Sequence, residues 1–219
     1  MDQLLNEADV RILGALVEKQ ITTPDYYPLS LNALTAACNQ LSNRQPIVSY
    51  DEETVLAAVH RLRQLSLVRA LQRTDSRVTK YQHLFGEGMD LTESEIAVMC
   101  VLMLRGPQTV GELRTRTERL AYFEKLSQVE TTLHALLAHT PSPLVFMLPR
   151  QPGQKEIRYA HLLSGPVTFD TTDAPDTQTP VASAFMNDRI AALEEATQEL
   201  RNEVADVRRQ LDEFRKQFE

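Results

Sequence analysis

Several residue types are scarce in this chain of 219 residues, and each scarcity narrows the class of protein. There is no Trp, there are only 7 Gly, and the 2 Cys show neither a CxxC nor a Cys/His spacing. A disulfide-rich secreted scaffold and a cysteine-based zinc site are therefore not expected. Both thiols, Cys38 and Cys100, fall in apolar helical patterns, which predicts buried structural residues.

Long hydrophobic runs are also missing. No apolar stretch approaches the roughly 18 to 20 residues that span a bilayer, and residues 1–7 lack a basic region followed by an apolar one. We therefore expect a cytoplasmic protein without membrane contact. A content of 42% hydrophobic and 24% charged residues is typical of a soluble, helix-rich protein with one large or two small domains.

Motifs of catalysis and cofactor binding are absent as well. The patterns GxGxxG, GxxxxGK[ST], HExxH and GxSxG do not occur. The 5 His are scattered, and the spacing of His134 and His139 does not bring two ligands to one face of a helix. We expect no enzymatic activity, no catalytic residue, no metal site and no cofactor.

The net charge of −7 is unevenly distributed. Residues 1–90 carry 11 acidic and 9 basic side chains, residues 91–162 carry 7 and 8, and residues 163–219 carry 12 and 6. Because most of the acidity lies in the last segment, the rest of the chain is nearly neutral. Such a balance permits contact with DNA without requiring it.

The two halves of the chain repeat each other. Residues 5–13 resemble residues 91–99, and residues 55–62 resemble residues 129–136. Each half then ends on two short β-type segments, at 67–72 and 78–84 in the first and at 144–148 and 159–162 in the second. Each copy is predicted as helix, helix, helix, strand, turn, strand, which is the order of a winged helix.

The local signals give helix starts within each copy. In the first copy a helix covers about 6–19, a second begins after Ser30, and a third follows Ser49, whose spacing to Glu52 fits a capping box. In the second copy the predicted starts are Thr92 and Ser127, and the latter has Glu130 three residues later.

The predicted fold class is mainly α with small β-hairpins (α+β), as tandem winged-helix domains plus a C-terminal coiled-coil helix. The domains are residues 1–88 and 89–163, followed by a flexible linker at 164–182, rich in Thr, Asp and Pro, and a coiled-coil helix at 183–219.

Apolar residues recur in that last segment at alternating steps of four and three, a narrow heptad stripe. This pattern predicts a homodimer through a parallel coiled coil, and a helix folded back on its own domains is the alternative. The predicted seam consists of Ile190, Leu193, Leu200, Val204, Val207, Leu211, Phe214 and Phe218.

The segment EKQITTPDYYPLSLNAL at 18–34, with ACNQ at 37–40 and SNR at 42–44, closely resembles the YceH-like family of bacterial proteins. The resemblance extends over the whole chain, including the tail. It implies a tandem winged-helix fold and carries no established biochemical function.

The same segment is the extra material of the first copy, and its prolines predict an ordered turn at 22–28. Its polar residues have two interpretations. In the structural one, a tyrosine fills the gap between the first two helices while Asn32, Asn39 and Asn43 satisfy backbone groups. In the functional one, amide and ring groups form a recognition surface for phosphates, bases or a peptide. The residues of that possible surface are Tyr26, Tyr27, Asn39, Gln40 and Asn43.

In a winged helix that binds DNA, the third helix enters the major groove and the wing touches the backbone. The candidate contacts in the first copy are Arg44, Arg61, Arg63, Arg73, Arg77 and Lys80. Those in the second copy are Arg114, Arg116, Arg119, Lys125, Thr131, Thr132, His134, Arg150 and Lys155.

Two functions fit these patterns. The first is a non-enzymatic, homodimeric DNA-binding protein, such as a transcriptional or nucleoid-associated regulator, which uses mainly the second copy because Asp51, Glu52 and Glu53 open the third helix of the first. The second is an adaptor whose winged helices bind protein, with a layout like that of tandem winged-helix subunits of bacterial condensin-type complexes.

Overall fold

The computed structural model describes residues 4–72, 78–150 and 156–165. This part of the chain is mainly helical with two small three-stranded antiparallel sheets, which confirms the predicted α+β class. The helices are α1 (Glu7–Thr22), α2 (Leu31–Cys38), α3 (Glu52–Gln64), α4 (Phe85–Met89), α5 (Glu93–Arg105), α6 (Val110–Arg116) and α7 (Leu126–Leu137). The strands are β1 (Leu29–Ser30), β2 (Val68–Leu71), β3 (Lys80–His83), β4 (Gln108–Thr109), β5 (Val145–Met147) and β6 (Arg158–His161).

Side-chain caps explain where several helices begin. Asn6 and Asp9 form a reciprocal capping box at α1, and Thr92 and Glu95 form another at α5. Ser30 caps α2, since its hydroxyl accepts a hydrogen bond from the amide of Ala33 at 3.3 Å. The predicted helix starts at Ser30 and Thr92 are therefore confirmed.

The predicted caps at Ser49 and Ser127 are wrong. The side chain of Asp51 caps α3 by accepting from the amide of Thr54 at 2.8 Å. Helix α7 begins at Leu126, and Gln128 accepts from the amide of Lys125 at 3.1 Å. Asp51 is as strong a capping residue as Ser49, whereas α7 begins at Leu126 although Lys125 provides no side-chain cap.

The two sheets have the same strand pattern, β1-β3-β2 in the first half and β4-β6-β5 in the second. The hairpins β2–β3 and β5–β6 confirm the four predicted strands. Strands β1 and β4 were not predicted, because two residues are too few to show an alternating pattern. Each of these short strands leads directly into the second helix of its half and ties that helix to the hairpin.

Helices α1 and α5 pack closely against each other and join the halves. Gly14 permits this approach, because a Cβ at that position would lie 3.0 Å from Leu104 and 3.1 Å from Met103. Two backbone hydrogen bonds also connect the halves, from Gln45 to Leu104 at 2.8 Å and from Leu5 to Leu163 at 2.8 Å. Apolar side chains of both halves form one continuous buried cluster, while the domain boundary at residue 88 stays a prediction.

Some predictions concern residues outside the described ranges. These are the turns at 73–77 and 151–155, nearly all of the linker at 164–182 and the whole heptad segment at 183–219. In the described ranges, no helix combines the length and the apolar character that crossing a bilayer requires.

Candidate nucleic-acid interface

Helices α6 and α7 and the connection between them carry most of the DNA contacts that the sequence analysis predicts for the second half. Thr109 and Glu112 cap α6 reciprocally, and the buried Thr117 ends it by donating its hydroxyl to the carbonyl of Leu113 at 2.7 Å. The connection is anchored by Phe123, which is buried, so α7 begins from a defined position. The local geometry is therefore set by a capped helix, a bonded threonine and one aromatic anchor.

Helix α7 buries one face and exposes another. Val129, Leu133 and Leu136 are fully buried. Ser127, Thr131, His134 and Ala138 are exposed at steps of four, three and four, which aligns them along one side of the helix. This stripe contains hydroxyl and imidazole groups and no carboxylate. Glu130 is exposed about 100° around the helix from Thr131.

The basic side chains around this stripe differ in their partners. Arg114, Arg119 and Lys125 are exposed and form no ion pair among the described residues. Arg116 is half-buried, pairs with Glu112 at 3.4 Å and donates to the side chain of Gln108. Arg114, Arg119 and Lys125 are thus the cations of this region that are open to a phosphate.

Glu112 forms ion pairs with two basic side chains of the second half. Arg158 pairs with it at 3.0 Å in addition to Arg116. Burial alone would raise the pKa of Glu112, but the amide of Thr109 and the two guanidinium groups outweigh it and lower the pKa. The carboxylate therefore stays ionised at neutral pH and pairs with both arginines, so it compensates one of their two positive charges.

The corresponding surface of α3 is more acidic. Its exposed stripe runs through Glu53, Ala57, His60 and Gln64, at the same steps as in α7. Asp51 and Glu52 are also exposed at its start. These carboxylates favour the helix dipole but repel a phosphate backbone that approaches this end.

The candidate contacts of the first half are distributed over several environments. Arg63 is exposed on α3, Lys80 is half-buried on β3, and Arg61 pairs with the buried carboxylate of Asp9 at 2.9 Å. Arg73 and Arg77 lie outside the described residues, as does Lys155 of the second half. Among these residues only Arg63 is a fully exposed cation in the described part of the chain.

Arg44 is a correction to the predicted set. Its side chain is 0% exposed and pairs with Glu18 at 2.6 Å and 3.0 Å. It also donates to the carbonyl of Ala37 and to the side chain of Gln40. A guanidinium with these internal partners stabilises the first half, and we leave Arg44 out of the interface.

Thr132 is a second correction. It is 9% exposed, and its hydroxyl donates to the carbonyl of Gln128 at 2.9 Å, while Thr131 and His134 are exposed as expected. Position 132 belongs to the buried stripe with Val129 and Leu136. The predicted contact Arg150, which follows β5 at the start of the turn between β5 and β6, is exposed.

The inserted segment of the first half has the structural role at most of its polar positions. The Tyr27 hydroxyl accepts from the amide of His83 at 2.7 Å. Asn39 exchanges two hydrogen bonds with the backbone of Tyr50, at 2.7 Å and 2.8 Å. Asn43 is exposed and accepts from Arg105 of the second half. Of the predicted recognition surface, Tyr26 is the residue whose ring is open to solvent, at 77%.

The histidines at equivalent positions of the two halves lie in two different environments. His60 and His134 are exposed at equivalent positions of α3 and α7. His83 and His161 occupy the ends of β3 and β6, and burial lowers the pKa of each to about 4. Both buried imidazoles are therefore neutral at pH 7, and the described residues contain no group of three or more side chains suited to a metal ion.

The sequence analysis did not single out two residues whose positions in the structure are of interest. Tyr122, in the connection before α7, is 76% exposed between Arg119 and Lys125, and an aromatic residue between two basic ones was the signal that could have found it. Arg11 is buried on α1, and its signal was a basic residue inside an apolar stretch.

A family model described as "Protein of unknown function, DUF480" matches residues 5–154. The chain belongs to the DUF480 family. The match covers the described helices and strands up to the turn before β6, and it confirms the resemblance to YceH-like proteins that the segment at 18–44 indicated.

Relatives of this DUF480 protein extend the similarity through the tail. A UPF0502 protein of Pelobacter propionicus is 49% identical over 221 residues, and one of Solibacter usitatus is 51% identical over 219 residues, each covering 100% of both chains. A UPF0502 protein of Opitutus terrae is 52% identical over 191 residues, which is 87% of this chain and 83% of that protein.

Proposed function

We propose that this chain is a tandem winged-helix protein that binds double-stranded DNA, chiefly through α7 and the connection that precedes it. The observation that carries the proposal is the exposed stripe of α7, which is free of carboxylates, together with three basic residues exposed on α6 and in the connection that form no ion pair among the described residues. The protein acts by binding, without catalysis or a cofactor, and pairs with a second copy through its C-terminal helix.

The element order supports the winged-helix assignment. In each half three α-helices precede a hairpin, and a two-residue strand before the second of these helices pairs with that hairpin. In winged-helix proteins the third helix enters the major groove and the hairpin turn approaches the backbone. The third helix of the second half is α7, and the turn that begins at Pro149 and Arg150 corresponds to its wing.

The side chains on α7 have chemistry suited to base edges and phosphates. The Thr131 hydroxyl donates back to the carbonyl of Ser127 at 2.9 Å and keeps its lone pairs for a ligand, while His134 is exposed one turn later. Arg119 and Lys125 are exposed in the connection that leads into the helix, where they can supply phosphate contacts that position it. The equivalent stripe of α3 begins with Glu53, and Asp51 and Glu52 are exposed beside it, which favours the second half as the DNA-binding one.

Fluorescence anisotropy with a labelled duplex of random sequence tests the proposal at 50 to 200 mM salt. We expect binding that weakens steeply with salt, with a slope of log K against log salt close to −0.9 for each phosphate contact. Substituting Arg119→Gln and Lys125→Gln together should make that slope less negative by about 2. Absence of binding at micromolar protein in the lowest salt would refute the proposal.

The first half supplies matched controls. Arg63→Gln with Arg69→Gln removes two exposed basic residues from α3 and β2, and we expect a smaller change of slope. His60→Ala similarly controls His134→Ala at the equivalent position of the repeat. If both pairs of variants behave alike, the assignment to the second half is wrong.

A protein adaptor is the second candidate, and strand β5 favours it. This strand lies at the edge of its sheet and exposes Phe146 at 42% and Met147 at 47%. An edge strand with apolar side chains suits the addition of an extended peptide. A partner held by such contacts would resist the same rise in salt that releases DNA, and Phe146→Ser would weaken it without changing DNA affinity.

A further inference from the structure

A cavity of about 410 Å³ lies where the two halves meet. Arg11 of α1 lines it from the first half, with Val48 from the connection after α2. Met103 of α5 and His161 of β6 line it from the second half. The volume is within the range of small-molecule sites, and a ligand inside would touch both halves.

Arg11 has no charged partner in this cavity. It is 4% exposed, its Nη2 donates to the carbonyl of Pro46 at 2.6 Å, and its Nη1 makes no hydrogen bond. Among the described residues no carboxylate lies within ion-pair distance of it. The two carboxylates of α1 that are buried or half-buried have other partners, since Glu18 pairs with Arg44 and Asp9 pairs with Arg61.

An unpaired buried guanidinium is unfavourable, because the protein interior does not replace the hydration that the charge has lost. Arginine in such a position is best compensated by an anion that accepts two parallel hydrogen bonds. His161 adds a second polar atom to the wall, since its Nδ1 is buried without a hydrogen bond. Two residues of the cavity wall, one from each half of the molecule, therefore each have a buried nitrogen without a hydrogen bond.

We propose that this cavity binds a small organic monocarboxylate, with the carboxylate on Arg11 and the apolar body against Val10, Leu102 and Met103. One guanidinium neutralises one negative charge, and His161 is neutral. The exposed carboxylate of Glu7 lies at the rim and disfavours a dianion such as phosphate. The Pro46 carbonyl holds the guanidinium at one nitrogen only, so its other edge can turn toward the ligand.

Thermal unfolding of the full chain with sodium benzoate and with sodium hexanoate tests the proposal, at ionic strength held constant with NaCl. We expect a saturable rise in Tm, which at ten times Kd amounts to about 3–6 °C for a chain of this size. Benzamide has the same ring without the charge and should not reproduce the rise. The assay contains no DNA, so its outcome is separate from that of the duplex-binding experiment.

Arg11→Met is the decisive variant, because a flexible apolar side chain replaces the buried charge and folding is expected to be retained or improved. It should abolish the rise in Tm, whereas Arg63→Met on the exposed face of α3 should retain it. Arg11→Lys keeps the charge without the bidentate geometry and should weaken the affinity. An unchanged benzoate response in Arg11→Met, or no response of the wild type to either carboxylate, would overturn the proposal.

Discussion

The Arg44–Glu18 pair gives the most direct test of how the first half is stabilised. Arg44 follows α2, and Glu18 lies near the end of α1, with side chains that are 0% and 13% exposed. Arg44→Met keeps the apolar stem and removes all the guanidinium donors. The carboxylate of Glu18 and the carbonyl of Ala37 then lose these hydrogen bonds in a largely buried site.

The expected loss of stability is large for a single substitution. Breaking a buried ion pair by removal of one partner costs about 3–5 kcal/mol. For a chain of this length, that corresponds to a fall in Tm of about 6–20 °C. Urea unfolding followed by circular dichroism measures the difference directly, as a lower midpoint at unchanged m-value.

The pH dependence of the same difference identifies its origin. Burial alone would raise the pKa of Glu18, but the hydrogen bonds and charge of Arg44 outweigh it and lower the pKa. Stability from the ionised pair is therefore present above the unfolded pKa, near 4.5, and is lost as the pH falls through the folded pKa. The gap between wild type and Arg44→Met should narrow in that acidic range.

Arg63→Met serves as the control, since Arg63 is exposed on α3 and forms no ion pair among the described residues. Its effect should stay within about 0.5 kcal/mol. If Arg44→Met is no less stable than Arg63→Met at neutral pH, the reasoning from burial and pairing fails. A loss of DNA affinity in folded Arg44→Met would instead restore this residue to the interface.

Three further predictions concern titration, backbone conformation and assembly. Burial lowers the pKa of His83 and His161 to about 4, so the unfolded state binds more protons than the folded state between about pH 6.5 and 4. The free energy of unfolding should therefore fall as the pH is lowered through that range, and the double variant His83→Gln with His161→Gln should show a smaller fall. An equally steep pH dependence in this variant would contradict the prediction. Gly106 ends α5 at φ 69° and ψ −157°, and a Cβ at this position would meet no atom within 4 Å. Gly106→Ala should therefore lower the free energy of unfolding in urea by about 1–3 kcal/mol through backbone strain alone. An unchanged free energy of unfolding would mean that the backbone relaxes. Deletion of residues 183–219 should halve the mass measured by light scattering, and an unchanged mass would reject the coiled-coil dimer.

Local patterns determined the secondary structure of this protein. Apolar spacing located α1, and the caps at Ser30 and Thr92 located α2 and α5, because these signals act within one or two turns. The two hairpins were also predictable, because short β-type segments recur at the end of each half. The cap at Ser49 was wrong because Asp51, an equally strong capping residue, takes that role, and the cap at Ser127 was wrong because α7 already begins at Leu126.

The environment of each polar side chain depended on tertiary structure. The sequence does not distinguish Arg44 from Arg63 as a surface cation, yet one is enclosed by Glu18, Ala37 and Gln40 and the other faces solvent. Nor does it reveal that Arg11 and His161, far apart along the chain, line one cavity. Periodicity reports which face of an element is apolar, whereas burial and ion pairing of a charge depend on what the other half of the molecule brings against it.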